Sequence, residues 1–340
     1  MIILFKGWEG WCDRLQVLTH LINYCLKYDA RLCVDWEDWV WGGNEFGFDE
    51  VFELIGVKTA SKNEVLRAMI QQDAKIEPPA WTWEDAYYRM PSVNGRLIGK
   101  EAKPLYIPSI MCSGEVPRVD ADVILTNGDG TRTYDSIVFL NNVRLRPWVL
   151  EGIKSILNDF DPNSIVIHLR GTDRPEEKYV ESAINVLKDE HRLPIYAITD
   201  DRKLWEEFKA GVPHAKLVNP NSTSLRIKLP EKLGIHFAKP SELKEQGITK
   251  KQLLIELLAD WFALCFAQSG FGRDVSTYYS MARKMHAIGN DVISQNLFGG
   301  WMPTRKTLET NNEANLLSCG QQTEASETTG SIVPSSPSVC

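Results

Sequence analysis

The segment Ser164-Ile-Val-Ile-His-Leu-Arg-Gly-Thr-Asp-Arg174 puts a histidine, an arginine and an acid just beyond a short apolar run. Such a run reads as a buried strand, so His168, Arg170 and Asp173 would stand at its carboxyl end, where open α/β sheets bind their ligands. A guanidinium there suits a diphosphate: its planar fork donates two parallel charge-assisted hydrogen bonds, and its charge offsets that growing on a departing phosphate. The competing reading is a structural ion pair between Arg170 and Asp173 at a strand end.

Two later segments have the composition to join it. Ile195-Tyr-Ala-Ile-Thr-Asp-Asp201 ends a second apolar run in two carboxylates. Asp200 would bind a ligand or orient the arginine, and Asp201 either does the same or caps a helix starting at Arg202. Phe262-Ala-Leu-Cys-Phe-Ala-Gln-Ser-Gly-Phe-Gly-Arg273 reads as a strand running into a Ser/Gly turn. Its N–H groups, with the Ser269 hydroxyl, suit a phosphate; Gly270 and Gly272 permit close backbone approach, and Arg273 would hold the turn. A plain helix entry explains the same residues nearly as well.

These segments need a scaffold that brings strand ends together, and the hydrophobic pattern supplies one. Met1–Phe5 reads as a buried strand, Gly7-Trp-Glu-Gly10 as a turn, and Leu15, Leu18, Ile22 and Cys25 as one face of a helix capped by Asp13 with Gln16. Arg31–Asp35 follows as a second strand and completes a βαβ unit. From Trp36 to about Pro147, prolines and glycines interrupt every pattern; Pro147 then opens a helix. Beyond it, strands are expected at Ile165–Leu169, Ile195–Ile198, Lys216–Val218 and Phe262–Phe266. Helices are expected at Glu176–Asp189, Lys203–Phe208, Lys250–Asp260 and Val275–Met285. The expectation is an α/β protein of two Rossmann-like domains, residues 1–145 and 146–306, facing an interdomain cleft. Residues 307–340 are too polar to repay ordering and are expected to be a disordered tail.

Composition removes several classes. The chain has 340 residues, 43% of them hydrophobic, and a net charge of -7. That charge argues against a nucleic-acid partner, while one small phosphorylated ligand needs only a local arginine. The seven cysteines are scattered without metal-binding spacing, so reduced thiols and no metal are expected. No run of about 18–20 apolar residues predicts a membrane span and no signal-peptide pattern opens the chain, which points to a cytoplasmic protein. His20 and His286 read as packing or surface histidines. Trp36, Trp39 and Trp41 would either pack in the core or stack on sugar rings.

In order along the chain, the His-x-Arg strand, the Ala197-Ile-Thr-Asp-Asp201 strand and the block opening Ala259-Asp-Trp-Phe262 resemble the three C-terminal motifs of GDP-fucose-dependent α1,6- and peptide-O-fucosyltransferases. Gly7-Trp-Glu-Gly-Trp-Cys-Asp-Arg-Leu15 and Leu32-Cys-Val-Asp-Trp36 are similar to the opening of bacterial nodulation fucosyltransferases. The resemblance covers roughly residues 1–40 and 140–290. It implies a GT-B fold and inverting transfer of fucose from GDP-fucose, as donor substrate, to a glycan or other hydroxyl acceptor, with neither metal nor cofactor. It casts Arg170 as the phosphate-binding arginine, His168 as a nucleoside contact, Tyr179, Asp200 and Asp201 as donor-site residues and Ser269 as a β-phosphate contact. Asp173, Gly270 and Arg273 fall in the same donor site.

An inverting transfer needs a carboxylate to take the acceptor proton. Glu9, in a Glu-Gly-aromatic turn, and Glu177, in the loop after the arginine, are the candidates, with Glu176 beside the latter. Three departures from the family pattern are visible. Gly171 stands where the α1,6 enzymes carry a second arginine. Gln252, which with Thr249 reads as a capping box, stands where the family carries a guanine-gripping aspartate. The loop between Asp173 and Tyr179 is shorter. Two other readings therefore remain: a GT-B transferase of another nucleotide sugar, and an inactive nucleotide-sugar-binding module.

Overall fold

The computed structural model describes residues 1–7, 10–37, 41–43, 45–79, 82–87, 92–93, 96–97, 117–126, 134–171, 177–227, 238, 240–273 and 276–303. Met1–Arg305 form one compact unit; the tail expected at 307–340 lies outside the described residues. The strands are β1 (Ile2–Phe5), β2 (Arg31–Val34), β3 (Phe52–Leu54), β4 (Ile76–Glu77), β5 (Ser92–Val93), β6 (Arg96–Leu97), β7 (Val123–Thr126), β8 (Val143–Leu145), β9 (Ile165–Leu169), β10 (Ile195–Thr199), β11 (Lys216–Leu217) and β12 (Ser269–Phe271). The helices are α1 (Trp11–Tyr28), α2 (Phe48–Val51), α3 (Lys62–Met69), α4 (Trp83–Tyr87), α5 (Ser136–Asn142), α6 (Pro147–Leu157), α7 (Glu177–Leu187), α8 (Arg202–Gly211), α9 (Pro240–Glu245), α10 (Lys250–Phe266), α11 (Thr277–His286) and α12 (Asn290–Phe298).

Two parallel four-stranded sheets organise the chain, in the orders β2-β1-β7-β4 and β11-β10-β9-β12. Helical crossovers are what parallel pairing demands, and the expected βαβ opening is present as β1-α1-β2. The stretch between Trp36 and Pro147, undefined by sequence pattern, supplies two members of the first sheet. One is β7, whose run Val-Ile-Leu-Thr is wholly buried beside β1. Antiparallel pairing of β3 with β8 leads into α6, which Pro147 opens as expected.

Two expectations need correction. The Asp13–Gln16 cap is absent, because α1 already begins at Trp11 with Gly10 at its N-cap; Asp13 lies in the first turn, and Gln16 is buried with its Nε2 3.6 Å from Met281 Sδ. Phe262–Phe266 is not a strand but the end of α10. Thr249 caps that helix, its Oγ1 accepting from Gln252 N at 3.1 Å. From Leu258 to Phe266 all residues except Asp260 are buried, so no polar face exists for helical periodicity to reveal, and a short apolar run cannot distinguish the two structures. The strand follows as β12.

One apolar cluster draws on both sheets, joining Phe5, Trp11 and Trp36 to Trp261, Phe262 and Phe298. Trp11 meets Trp261 edge-on at 5.8 Å between centroids, and Phe298 meets Phe262 edge-on at 4.8 Å. The last described helix, α12, packs on β8 and α5, so the chain returns to its first half after completing the second sheet.

Candidate functional site

The site grows from the pairing of β9 with β10. His168 lies beside Ile198 and Leu169 beside Thr199, so Arg170 and Asp200 leave the same sheet edge. Asp200 Oδ1 accepts from Gly171 N at 3.1 Å, tying the two strand ends together. Asp201 Oδ1 accepts from Lys203 N at 2.7 Å and Leu204 N at 3.2 Å, which makes it the N-cap of α8. A Cβ at Gly171 would lie 2.6 Å from Asp201 Oδ2 and closer still to Asp201 Cβ. Only glycine fits, and the side chain of a second arginine has no room here.

Facing this edge is a cavity of about 210 Å³. Gly10, Trp11 and Cys12 at the start of α1 form one wall, together with Trp41. His168, Arg170, Thr199 and Asp200 form the floor, and Ser224, Tyr278 and the α10 residues Lys250, Leu253, Leu254, Glu256, Leu257 and Asp260 close the rest. Gly10, at the N-cap of α1, makes no side-chain cap, and the N-terminal end of this helix adds positive potential on the side of the cavity where Arg170 also lies. Earlier in the chain, a Cβ on Gly7 would lie 2.6 Å from Trp36 Nε1. The close approach of Trp36 and Arg14, whose guanidinium lies 5.4 Å from the Trp36 ring centroid, requires glycine there.

Polar groups on the α10 wall are unequally partnered. Glu256 accepts from Thr223 N at 2.7 Å, from Thr223 Oγ1, and from Gln252 Nε2 at 3.3 Å. Gln252 Nε2 also donates to Thr223 Oγ1 at 2.6 Å. The expected capping box is thus only half formed: Thr249 receives Gln252 N, while the Gln252 side chain turns to Thr223. Ser224, held 2.6 Å from Ser222 through their hydroxyls, is carried into the cavity by this fastened turn. Tyr278 stacks at a tilt on His168 with centroids 5.1 Å apart and donates to Leu257 O at 2.8 Å. Burial, followed by Asp13 and Cys265, holds the Cys12 thiol well above its usual range. Burial, then Glu256 and Asp200, does the same to the Asp260 carboxyl.

The cavity brings together four of the residues singled out from sequence: His168, Arg170, Asp200 and Trp41. It does not include Ser269 and Gly270, which pair with Ile165 and Val166 at the opposite end of β9. Tyr179, on α7, packs with the apolar cluster of Ile167, Leu169, Val180 and Phe208; its hydroxyl is buried and pushed up by that burial, then by Tyr279, with Arg273 opposing. Glu9, Asp173, Glu176 and Trp39 lie outside the described residues, and Glu177 is described in its backbone alone, as the first residue of α7. Trp36 is a core residue, meeting Phe5 and Phe48 edge-on, and Trp41 stacks on Trp11 at 5.7 Å while lining the cavity. His286 packs with its Nδ1 2.9 Å from Cys265 O.

Sequence reasoning missed the α10 wall and Ser224. A signal existed: Glu256 and Asp260 are acids at i and i+4 in the otherwise apolar stretch Leu253–Phe266, a costly spacing without a local purpose. Among the described residues, no group of three or more His, Cys, Asp and Glu could hold a metal ion, and no helix is long and apolar enough to cross a membrane. Cys12, Cys25, Cys33 and Cys265 are buried free thiols.

The sequence matches no family model and no curated protein. Its fold is that of solved fucosyltransferases. The crystal structure of fucosyltransferase NodZ from Bradyrhizobium superposes with a TM-score of 0.58 at 14% identity, over 83% of this chain and 92% of that one. NodZ alpha-1,6-fucosyltransferase soaked with GDP-fucose gives 0.54 at 13% identity, over 84% and 92% of the two chains. The same enzyme co-crystallised with GDP gives 0.54 at 16%, over 83% and 91%. The architecture is accordingly GT-B-like, an α/β fold built on parallel sheets.

Proposed function

We propose that the protein is an inverting glycosyltransferase that moves fucose from GDP-fucose to a glycan or other hydroxyl acceptor. The observation that carries this reading is Arg170 at the carboxyl edge of β9, on the floor of a cavity that the start of α1 also walls, in a fold shared with enzymes solved with GDP and GDP-fucose. A guanidinium and the N–H groups of a helix start are the chemistry a diphosphate needs. Arg170 would stabilise the charge that develops on the leaving phosphate. His168, steadied by Tyr278, would contact the nucleoside, and Asp200 would fix the backbone that carries the arginine. The volume of about 210 Å³ suits a diphosphate with part of a nucleoside. Complete ligand sites run to roughly 300–1,000 Å³, so the sugar and its acceptor would occupy adjoining open space.

A second reading, a transferase of another nucleotide sugar, draws support from Gln252. Its amide nitrogen is committed to Thr223 and Glu256, so no free carboxylate stands at this position to take the guanine N–H edge. Calorimetric titration with GDP, UDP, ADP and GDP-fucose separates the two. GDP binding that is tight in the wild type and lost in Arg170→Ala supports the first reading, together with a fall in turnover of about a hundredfold to a thousandfold, as for removal of one preorganised donor. Near-normal turnover by Arg170→Ala would refute it, and preference for UDP or ADP would favour the second.

A further inference from the structure

We infer that Glu256 and Ser224 read the nucleobase: two acceptor oxygens, one of the Glu256 carboxylate and one of the Ser224 hydroxyl, receive the adjacent N1–H and 2-amino donors of guanine. The inference rests on the proposed function and names the part of the site that selects its nucleotide. It starts from a carboxylate that is 7% exposed and yet lines the cavity. Glu256 Oε2 accepts from Thr223 N at 2.7 Å, and Oε1 accepts from Thr223 Oγ1 and from Gln252 Nε2 at 3.3 Å. A carboxylate has about four lone-pair sites, shared equally by its oxygens, so one site on Oε2 is left for a ligand. The serine beside this clamp is placed in the same way. Ser224 Oγ donates to Thr199 O at 3.3 Å, so the proton in its 2.6 Å contact with Ser222 Oγ comes from Ser222. A lone pair of Ser224 Oγ is then left for a ligand as well.

The walls of the cavity differ in polarity, and this decides which end of a nucleotide meets each of them. Arg170 and the N-terminal end of α1 supply positive potential on one side. The α10 wall presents Glu256 and Asp260, with Lys250 more than a turn before Glu256 on the same helix. A diphosphate is attracted to the first side and repelled by Glu256 on the second, so the base is directed towards Glu256 and Ser224. Thr223 N grips Oε2 and Ser224 is the next residue, which makes the two acceptors neighbours. Among the common bases, guanine alone places two donors side by side on its Watson–Crick edge. Uracil has one N–H between two carbonyl oxygens, and adenine has a bare ring nitrogen beside its amino group. Either would set an acceptor against one of the protein's acceptors, and a site left with unpaired buried polar groups rejects the analogue that leaves them so. Gln252, one turn before Glu256, is not on the cavity; its amide holds the Glu256 carboxylate in place.

The test is calorimetric titration of wild type, Glu256→Gln and Ser224→Ala with GDP, inosine diphosphate and UDP, alongside thermal unfolding of each variant. Inosine diphosphate is GDP without the 2-amino group. Wild type should bind GDP at least about tenfold more tightly than UDP and at least about threefold more tightly than inosine diphosphate, as hydrogen bonds to charged and neutral groups provide. Glu256→Gln should bring GDP to within about threefold of UDP, while its UDP affinity stays within about twofold of wild type. Ser224→Ala should narrow the preference for GDP over UDP by about threefold to tenfold, and it leaves the bond from Thr223 N to Glu256 in place. An undiminished preference for GDP in both variants overturns the inference. So does an equal loss of GDP and UDP affinity in Glu256→Gln, which would make Glu256 a fastening for the turn at Thr223 and nothing more. A wild type that prefers UDP overturns it too, and leaves the transferase of another nucleotide sugar standing. If the wild type binds none of the three, the proposed function fails and this inference with it.

Discussion

Replacing Gly171 by alanine tests how the strand end that carries Arg170 is built. The added methyl would be driven into Asp201, with Oδ2 at 2.6 Å and Cβ nearer. Asp201 cannot yield freely, because its carboxylate caps α8 through Lys203 N and Leu204 N. Gly171 cannot yield freely either, because its N–H is bonded to Asp200. Forcing a methyl into such a contact costs about 1–3 kcal/mol, and displacing an aspartate cap costs about 1 kcal/mol more. Gly171→Ala should therefore lose about 2–4 kcal/mol in urea unfolding. A double-mutant cycle isolates the cause. Asp201→Gly removes the colliding Cβ, and glycine is itself tolerated at an N-cap at a cost of a few tenths of about 1 kcal/mol. In that background Gly171→Ala should cost at least about 1 kcal/mol less than it does alone. Gly171→Ala within about 0.5 kcal/mol of wild type, or strict additivity in the cycle, would show the collision to be absent.

Other expectations follow from polar groups held in the interior. Asp35 bonds Lys6 Nζ at 2.9 Å and Lys62 Nζ at 2.8 Å; burial alone would raise its carboxyl, but the two lysines outweigh it and hold it below the usual range. Its contribution is complete above the unfolded value of about pH 4 and is lost as pH falls through the folded one. Acid unfolding should be less steep in Asp35→Asn, and that variant should cost about 3–5 kcal/mol near neutrality because Lys6, 5% exposed, loses its carboxylate partner. Glu45 accepts from Lys250 N at 3.0 Å and Lys251 N at 3.2 Å, so Glu45→Ala should destabilise by about 1 kcal/mol in thermal unfolding. Glu256→Ala strands Thr223 and should cost about 1–3 kcal/mol, with protease cleavage appearing between Asn219 and Ile227 and weaker GDP binding.

Where a residue's job is set by its near neighbours, the sequence makes it legible. β1, β9 and β10 announce themselves because each is a short apolar run ending at charged or turn residues, and the Asp201 cap is written in the residue that precedes Arg202. What escapes is set by distant partners. β7 is as apolar as β1 but sits among prolines and glycines that mask it, and only pairing with β1 makes it a strand. The end of α10 reads as strand because its polar face is missing, and that face is missing because Trp11, α11 and α12 surround it. The Ser269–Gly270 pair resembles a phosphate turn, yet its register with Ile165 puts it at the far end of the sheet from Arg170. Gly171, read at first as a lost arginine, is explained by the side chain of Asp201 thirty residues later.

The return of α12 to β8 and α5 has a consequence for synthesis of the chain. Leu297 and Phe298 emerge from the ribosome last among the described core residues, yet the surface they cover was made more than a hundred residues earlier. The first half must wait with that surface bare until the second sheet has assembled. A nascent chain arrested before Asn290 should be held by chaperones, and release should coincide with emergence of this helix.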